Sequence, residues 1–97
     1  MATYIALYTF TDHGIKNVKD TVKRMEAARE AAAAVGVHFK EVLWTQGQYD
    51  FIVIAEALDE MAVTAYALNI GKAGNLRGQT LRAFTAAEIT RILEHVA

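Results

Sequence analysis

Few side chains in this sequence could do chemistry, and they fall into four sets. The first is Tyr49-Asp50, which follows the turn-forming stretch Thr45-Gln46-Gly47-Gln48. An aspartate at the mouth of a hairpin can accept backbone N–H bonds, pair with an arginine, or act as a general base. Satisfying its own turn is the commonest use of such a carboxylate and outweighs catalysis here. The second set is Arg77 and Arg82, which fall on opposite faces of one extended stretch. Arg82 is expected on the face away from Leu81 and Ala83, with those two residues on the helix side. There it could grip a carboxylate or phosphate of a small ligand bidentately. It could equally salt-bridge to Asp50 or to a second subunit. A buried charge needs a partner, which favours the interface pairing.

The third set is His13, His38 and His95, scattered over a turn, a strand and a terminal helix. No pair has ligand spacing, so no metal site is expected. Only His38 could line a pocket, and a surface position suits it better. The fourth set is aromatic: Tyr4, Tyr8, Trp44 and Phe84 all fall on extended segments. Sharing an open sheet face, they would line a cavity between subunits, with Arg82, Thr80 and His38 as its polar points. Packed solid, the same rings would form a dimer core, which is the favoured reading. The ligand-pocket candidates are therefore Tyr4, Tyr8, His38, Trp44, Tyr49, Asp50, Thr80 and Arg82, with no catalytic residue assigned.

Several classes drop out on composition. The chain has no Cys, which removes disulfides, thiolate nucleophiles and thiolate metal sites. It has no Ser, and no Gly-rich phosphate loop follows a strand. No cofactor is expected. A net charge of −1 gives no field to draw the chain to nucleic acid or anionic lipid. The opening MATYIALYTF lacks a basic region and a long apolar run, so a cytoplasmic location is expected, with no membrane span. At 97 residues, one domain over 1–97 is expected, burying roughly two-thirds of its unfolded surface.

The elements that would position these groups centre on Phe51-Ile52-Val53-Ile54-Ala55. Apolar residues at every position predict a strand buried on both faces. Thr3 to Phe10 also carries large apolar groups on both faces and predicts a second interior strand. From Ile15 the spacing turns helical, with Ile15, Val18, Val22 and Met25 as the apolar stripe of one helix of about twenty residues ending at Gly36. Val37 to Gln46 holds Lys40 and Glu41, which an edge strand tolerates. Asp59 caps a helix from Glu60 to about Gly71. Leu76 to Phe84 is a fourth strand, and Thr85 to Glu88 is a capping box opening a last, short helix.

The order β-α-β-β-α-β is that of a ferredoxin-like α+β sandwich. A four-stranded antiparallel sheet carries two helices on one face, and the short C-terminal helix follows. Its interior strands are the first and third, the two that are apolar on both sides. Two helices shelter one face only. Burying an apolar side chain contributes roughly 1.5–3 kcal/mol, so the other face predicts a homodimer packed sheet to sheet, or a higher oligomer of such dimers.

Gly47-Gln48-Tyr49-Asp50 followed by an apolar strand resembles the Gly-Xaa-Tyr-Asp signature of the GYD-domain family. Gly14, Asn17, Lys19-Asp20 and Lys23-Arg24 fit the same likeness, as do Gly74-Asn75-Leu76-Arg77 and Thr80 to Thr85. The resemblance runs essentially the whole length and implies a member of the dimeric α/β-barrel superfamily, with no established activity. Two function classes follow. One is a non-catalytic small-ligand-binding or assembly module acting as an oligomer. The other is a cofactor-free, monooxygenase-like enzyme acting on a small organic compound in the inter-sheet cavity.

Overall fold

A computed structural model describes residues 1–97. Its strands are β1 (Ala2–Phe10), β2 (Val37–Trp44), β3 (Phe51–Ala57) and β4 (Leu76–Ala83). They form one antiparallel sheet in the order β2-β3-β1-β4, so the two strands apolar on both faces are interior. Helices α1 (Asp12–Lys16), α2 (Thr21–Ala34), α3 (Glu60–Ala73) and α4 (Ala86–Leu93) complete the α+β ferredoxin-like arrangement. The core joins Tyr4, Tyr8, Phe51, Val53 and Ala55 of the sheet to Ala32 and Val63 of α2 and α3.

The one long helix expected from Ile15 is broken. Thr11 caps α1 by accepting from Gly14 N at 3.0 Å, and the Asn17 side chain donates to His13 O at 2.9 Å, closing that turn on itself. A single 3₁₀ turn, Val18–Asp20, then resets the helical phase before α2. Thr21, Arg24, Met25, Ala28 and Ala32 consequently face the sheet, whereas Ile15, Val18 and Val22 stand 51%, 37% and 50% exposed. Gly14 fixes this corner: it is buried against the Asn75 backbone, where any Cβ would collide with the Asn75 carbonyl.

The edge strand β2 ends at Trp44, two residues short of the expected Gln46, and is bulged between Phe39 and Glu41. The β2–β3 turn reaches from Thr45 to Asp50, with Gly47 at φ 99°, a region that favours glycine. Asp59 caps α3 by accepting from Met61 N at 2.7 Å, and Gly74 ends it at φ 84°. The Thr85–Glu88 capping box forms as read: Glu88 N donates to Thr85 Oγ1 at 3.2 Å and Thr85 N to Glu88 Oε1 at 2.9 Å.

The two faces of the sheet are the reverse of the expected labels. In the register, Tyr4 opposes Arg82, Ala6 opposes Thr80 and Tyr8 opposes Gly78, and Tyr4 and Tyr8 are buried in the core with α2 and α3. Arg82 and Thr80 therefore share the helix side, and Leu81 and Ala83 share the open side with Ile5 and Thr3. The physical reason lies at the sheet edge: β4 flanks α3, which leaves polar residues on its helix side in contact with solvent. The open face is aliphatic, not aromatic. Ile5 pairs with Ile54 and Leu7 with Ile52 at its centre, with Leu81 and Leu43 to either side.

Candidate functional site

The structure does not gather the eight sequence candidates into one site; it spreads them over four places. Tyr49 and Asp50 sit at the end of the hairpin. Asp50 Oδ2 accepts from Phe10 N at 2.8 Å, and its own N–H donates to Tyr8 O at 2.8 Å. Its carboxylate therefore extends the β1–β3 ladder one step past the last pair, Tyr8 opposite Phe51. Thr45 closes the loop behind it, with N–H donating to Asp50 O at 2.9 Å and Oγ1 to Tyr49 O at 2.6 Å. Of the three roles open to Asp50, this geometry is the backbone-accepting one.

Arg82 lies at the far end of the sheet and its donors are engaged locally. It donates to Thr3 O at 3.3 Å and to Ala83 O, and it pairs with Glu88 Oε2 at 3.8 Å. Its guanidinium also lies 4.4 Å from the Phe84 ring centroid and 5.6 Å from that of Tyr4. These contacts tie β4 to β1 and to the start of α4. The Thr85 backbone N–H holds the Glu88 carboxyl below its ordinary range, with a smaller push from Arg82. Tyr4 is buried with a hydroxyl that has no hydrogen-bond partner.

His38 is exposed on the open face, opposite Glu56, whose carboxylate pairs with Lys40 at 3.3 Å. It stands on the edge strand, apart from the Ile and Leu centre. Trp44 is on the helix side, stacked on Phe51 with centroids 5.4 Å apart, while Phe51 stacks on Tyr8 at 5.3 Å. The Trp44 Nε1–H donates to Thr21 Oγ1 at 3.1 Å, joining the hairpin to the start of α2.

The aromatic stack borders a cavity between the helices and the sheet. Helix α2 lies over β2 and α3 over β4, leaving a cleft above the central strands. Ala27 and Ala28 of α2 are too small to fill it, and a partly open cavity of about 210 Å³ remains. Tyr8, Phe51 and Tyr66 supply aromatic wall, and Met25, Ile70 and Leu76 supply aliphatic wall. Thr21, Arg24 and Asn75 are its polar lining residues. Burial pushes the Tyr8 hydroxyl up to about 12, and burial together with the nearby Tyr8 raises Tyr66 further. Both phenols therefore stay protonated at neutral pH.

Of these lining residues the sequence reading singled out only Tyr8 as a site candidate. Two signals pointed to the rest: an all-Ala stretch of helix leaves space against a sheet, and Arg24 shares a helical face with Met25, Ala28 and Ala32. Gly78 is a third sign, since it opposes Tyr8 and a Cβ there would strike the Tyr8 ring.

A Thermus thermophilus protein named glutamine synthetase and cystathionine beta-lyase binding protein is 31% identical over 90 residues, spanning 92% of this chain and 95% of that one. No solved structure matches. The GYD domain family matches residues 4–93, and the chain belongs to that family.

Proposed function

We propose that this chain is a cytoplasmic, single-domain, homo-oligomeric binding module that pairs through its open sheet face and holds protein partners without turning over a substrate. One observation carries the reading. Ile5, Leu7, Ile52 and Ile54 form an aliphatic centre on interior strands, flanked by Leu43 and Leu81 at 49% and 38% exposure, and no helix of the chain packs over it. A contiguous apolar patch of this kind is typical of an interface. Ile89, Ile92 and Leu93 of α4, and Val96 beyond its end, are all 40% exposed or more and form a second uncovered apolar surface. Support for protein partners comes from the 31% identical relative, which is named for binding two enzymes. By that analogy, glutamine synthetase and cystathionine beta-lyase are the first partners to test.

The cofactor-free enzyme reading would place its chemistry between paired sheets. The centre of that face is Ile and Leu, and its polar groups, His38 and Glu41 on β2 and Arg77 and Gln79 on β4, lie on the two edge strands rather than together, so the binding reading takes precedence. Sedimentation velocity on dilute protein tests the assembly: particles of twice 10.7 kDa or more are expected, and a folded 10.7 kDa species would overturn it. Co-elution with purified glutamine synthetase or cystathionine beta-lyase from the same organism tests the partner class.

A further inference from the structure

The cavity between α2, α3 and the sheet lies on the opposite side of the strands from the proposed assembly face, and its lining is chemically one-sided. It contains one guanidinium and no carboxylate. Arg24 makes only one hydrogen bond, to Gly14 O at the outer limit of 3.5 Å, and neither ion pair of the chain includes it. Thr21 Oγ1 spends an acceptor position on the Trp44 N–H, leaving its own O–H to donate. The two phenols and the Asn75 amide add further donors. An apolar cavity with a few convergent polar groups is the usual form of a small-molecule site, and an excess of donors around an unpaired cation selects an anionic head. The flanking rings of Tyr8, Phe51 and Tyr66 select a flat, apolar body.

We propose that this cavity binds a small single-ring aromatic carboxylate, its ring between the aromatic walls and α2 and its carboxylate on Arg24. The Ala27–Ala28 step is what makes room for the ring, and Gly78 is what lets Tyr8 lie flat enough to form a wall. The site needs no second subunit, because all its lining residues come from one chain.

Trp44 supplies the readout. It is the single tryptophan, and it contacts two of the lining residues, stacking on Phe51 and bonding to Thr21. Titration of the full chain with phenylacetate is expected to give a saturable, one-per-chain change in Trp44 fluorescence and a raised melting temperature. Phenylacetamide, with the same ring and no charge, is expected to bind about tenfold more weakly or worse, the worth of a charge-assisted hydrogen bond. Arg24→Met should cost phenylacetate a similar factor. Ala28→Leu, which fills the space and alters no charge, should abolish the change while leaving the circular dichroism spectrum intact. Equal binding of acid and amide would overturn the assignment of the carboxylate to Arg24. No saturable response up to the solubility limit, or undiminished binding by Ala28→Leu, would overturn the site. Either failure leaves the sedimenting mass unchanged and is thus separable from failure of the assembly reading.

Discussion

The two sides of the central strands differ more than their shared backbone suggests. On the helix side, β1 and β3 present Tyr4, Tyr8, Phe51, Val53 and Ala55, each no more than 7% exposed. On the other side the same strands present Ile5, Leu7, Ile52 and Ile54, half-buried by their neighbours alone. On the sheltered side large rings alternate with small residues: Tyr8, Phe51 and Trp44 share one row, Tyr4, Ala55 and Phe39 another, and Ala2, Ala57 and Val37 the last. The unsheltered side has an aliphatic centre with polar residues such as His38, Glu41 and Gln79 around it. A surface of alternating rings and small residues fits one partner element in one place, whereas an aliphatic centre of even side-chain size fits a flat counterpart such as a second sheet. The lesson is that large apolar groups on both sides of a strand place it inside a sheet, while side-chain size distinguishes the side the chain's own helices cover from the side they leave open.

Neighbouring residues on opposite sides offer the sharpest contrast. Phe51→Ala removes the middle ring of the Trp44–Phe51–Tyr8 stack and is expected to lower unfolding free energy by about 3–5 kcal/mol in a urea titration, independent of protein concentration. Ile52→Glu, one residue on, should spare the fold and weaken self-association by about 2 kcal/mol or more, read as a fall in sedimenting mass on dilution. A variant that unfolds instead would mean that the uncovered side is core after all.

The sheltered side also predicts an alkaline limit. Tyr8 titrates near 12 when folded and near 10.0 when not, so the folded state holds its proton more tightly. The associated stability is complete below pH 10.0 and disappears as pH rises through about 12; unfolding followed by tyrosinate absorbance should track that window. Ile52 and its cross-strand partners Leu7 and Leu43 carry no titratable group, whereas His38, Glu41 and Glu56 stand farther out on the same side. The smallest effect is expected away from both sides. Thr85→Ala removes the α4 cap and should cost about 1 kcal/mol, confined to faster amide exchange in Ala86–Leu93.

Strand order, the edge position of β2, the Asp59 and Thr85 caps and the family were all legible in the chain. They rest on local patterns: unbroken apolar runs, charges at Lys40 and Glu41, and capping residues at fixed offsets. What was not legible depends on contacts distant in sequence. Alternation sorts Leu81 from Arg82 without saying which side receives the helices, and the Arg82–Thr80–Gly78 row reads as wet although it lies beside α3. The interruption at Asn17 escaped the apolar periodicity because it is set by Gly14 meeting Asn75, sixty-one residues on. The cavity depends on how far apart two helices settle, which neither helix encodes alone.

The clasp formed by Thr45 and Asp50 has a practical corollary. Because a carboxylate, a hydroxyl and two main-chain bonds fasten the base of the hairpin, the exposed tip at Gln46, Gly47 and Gln48 bears no part in keeping the strands in step. A peptide tag or epitope spliced in at Gly47 should ride there without disturbing the sheet beneath, giving a handle for immobilising the molecule with its open sheet face free.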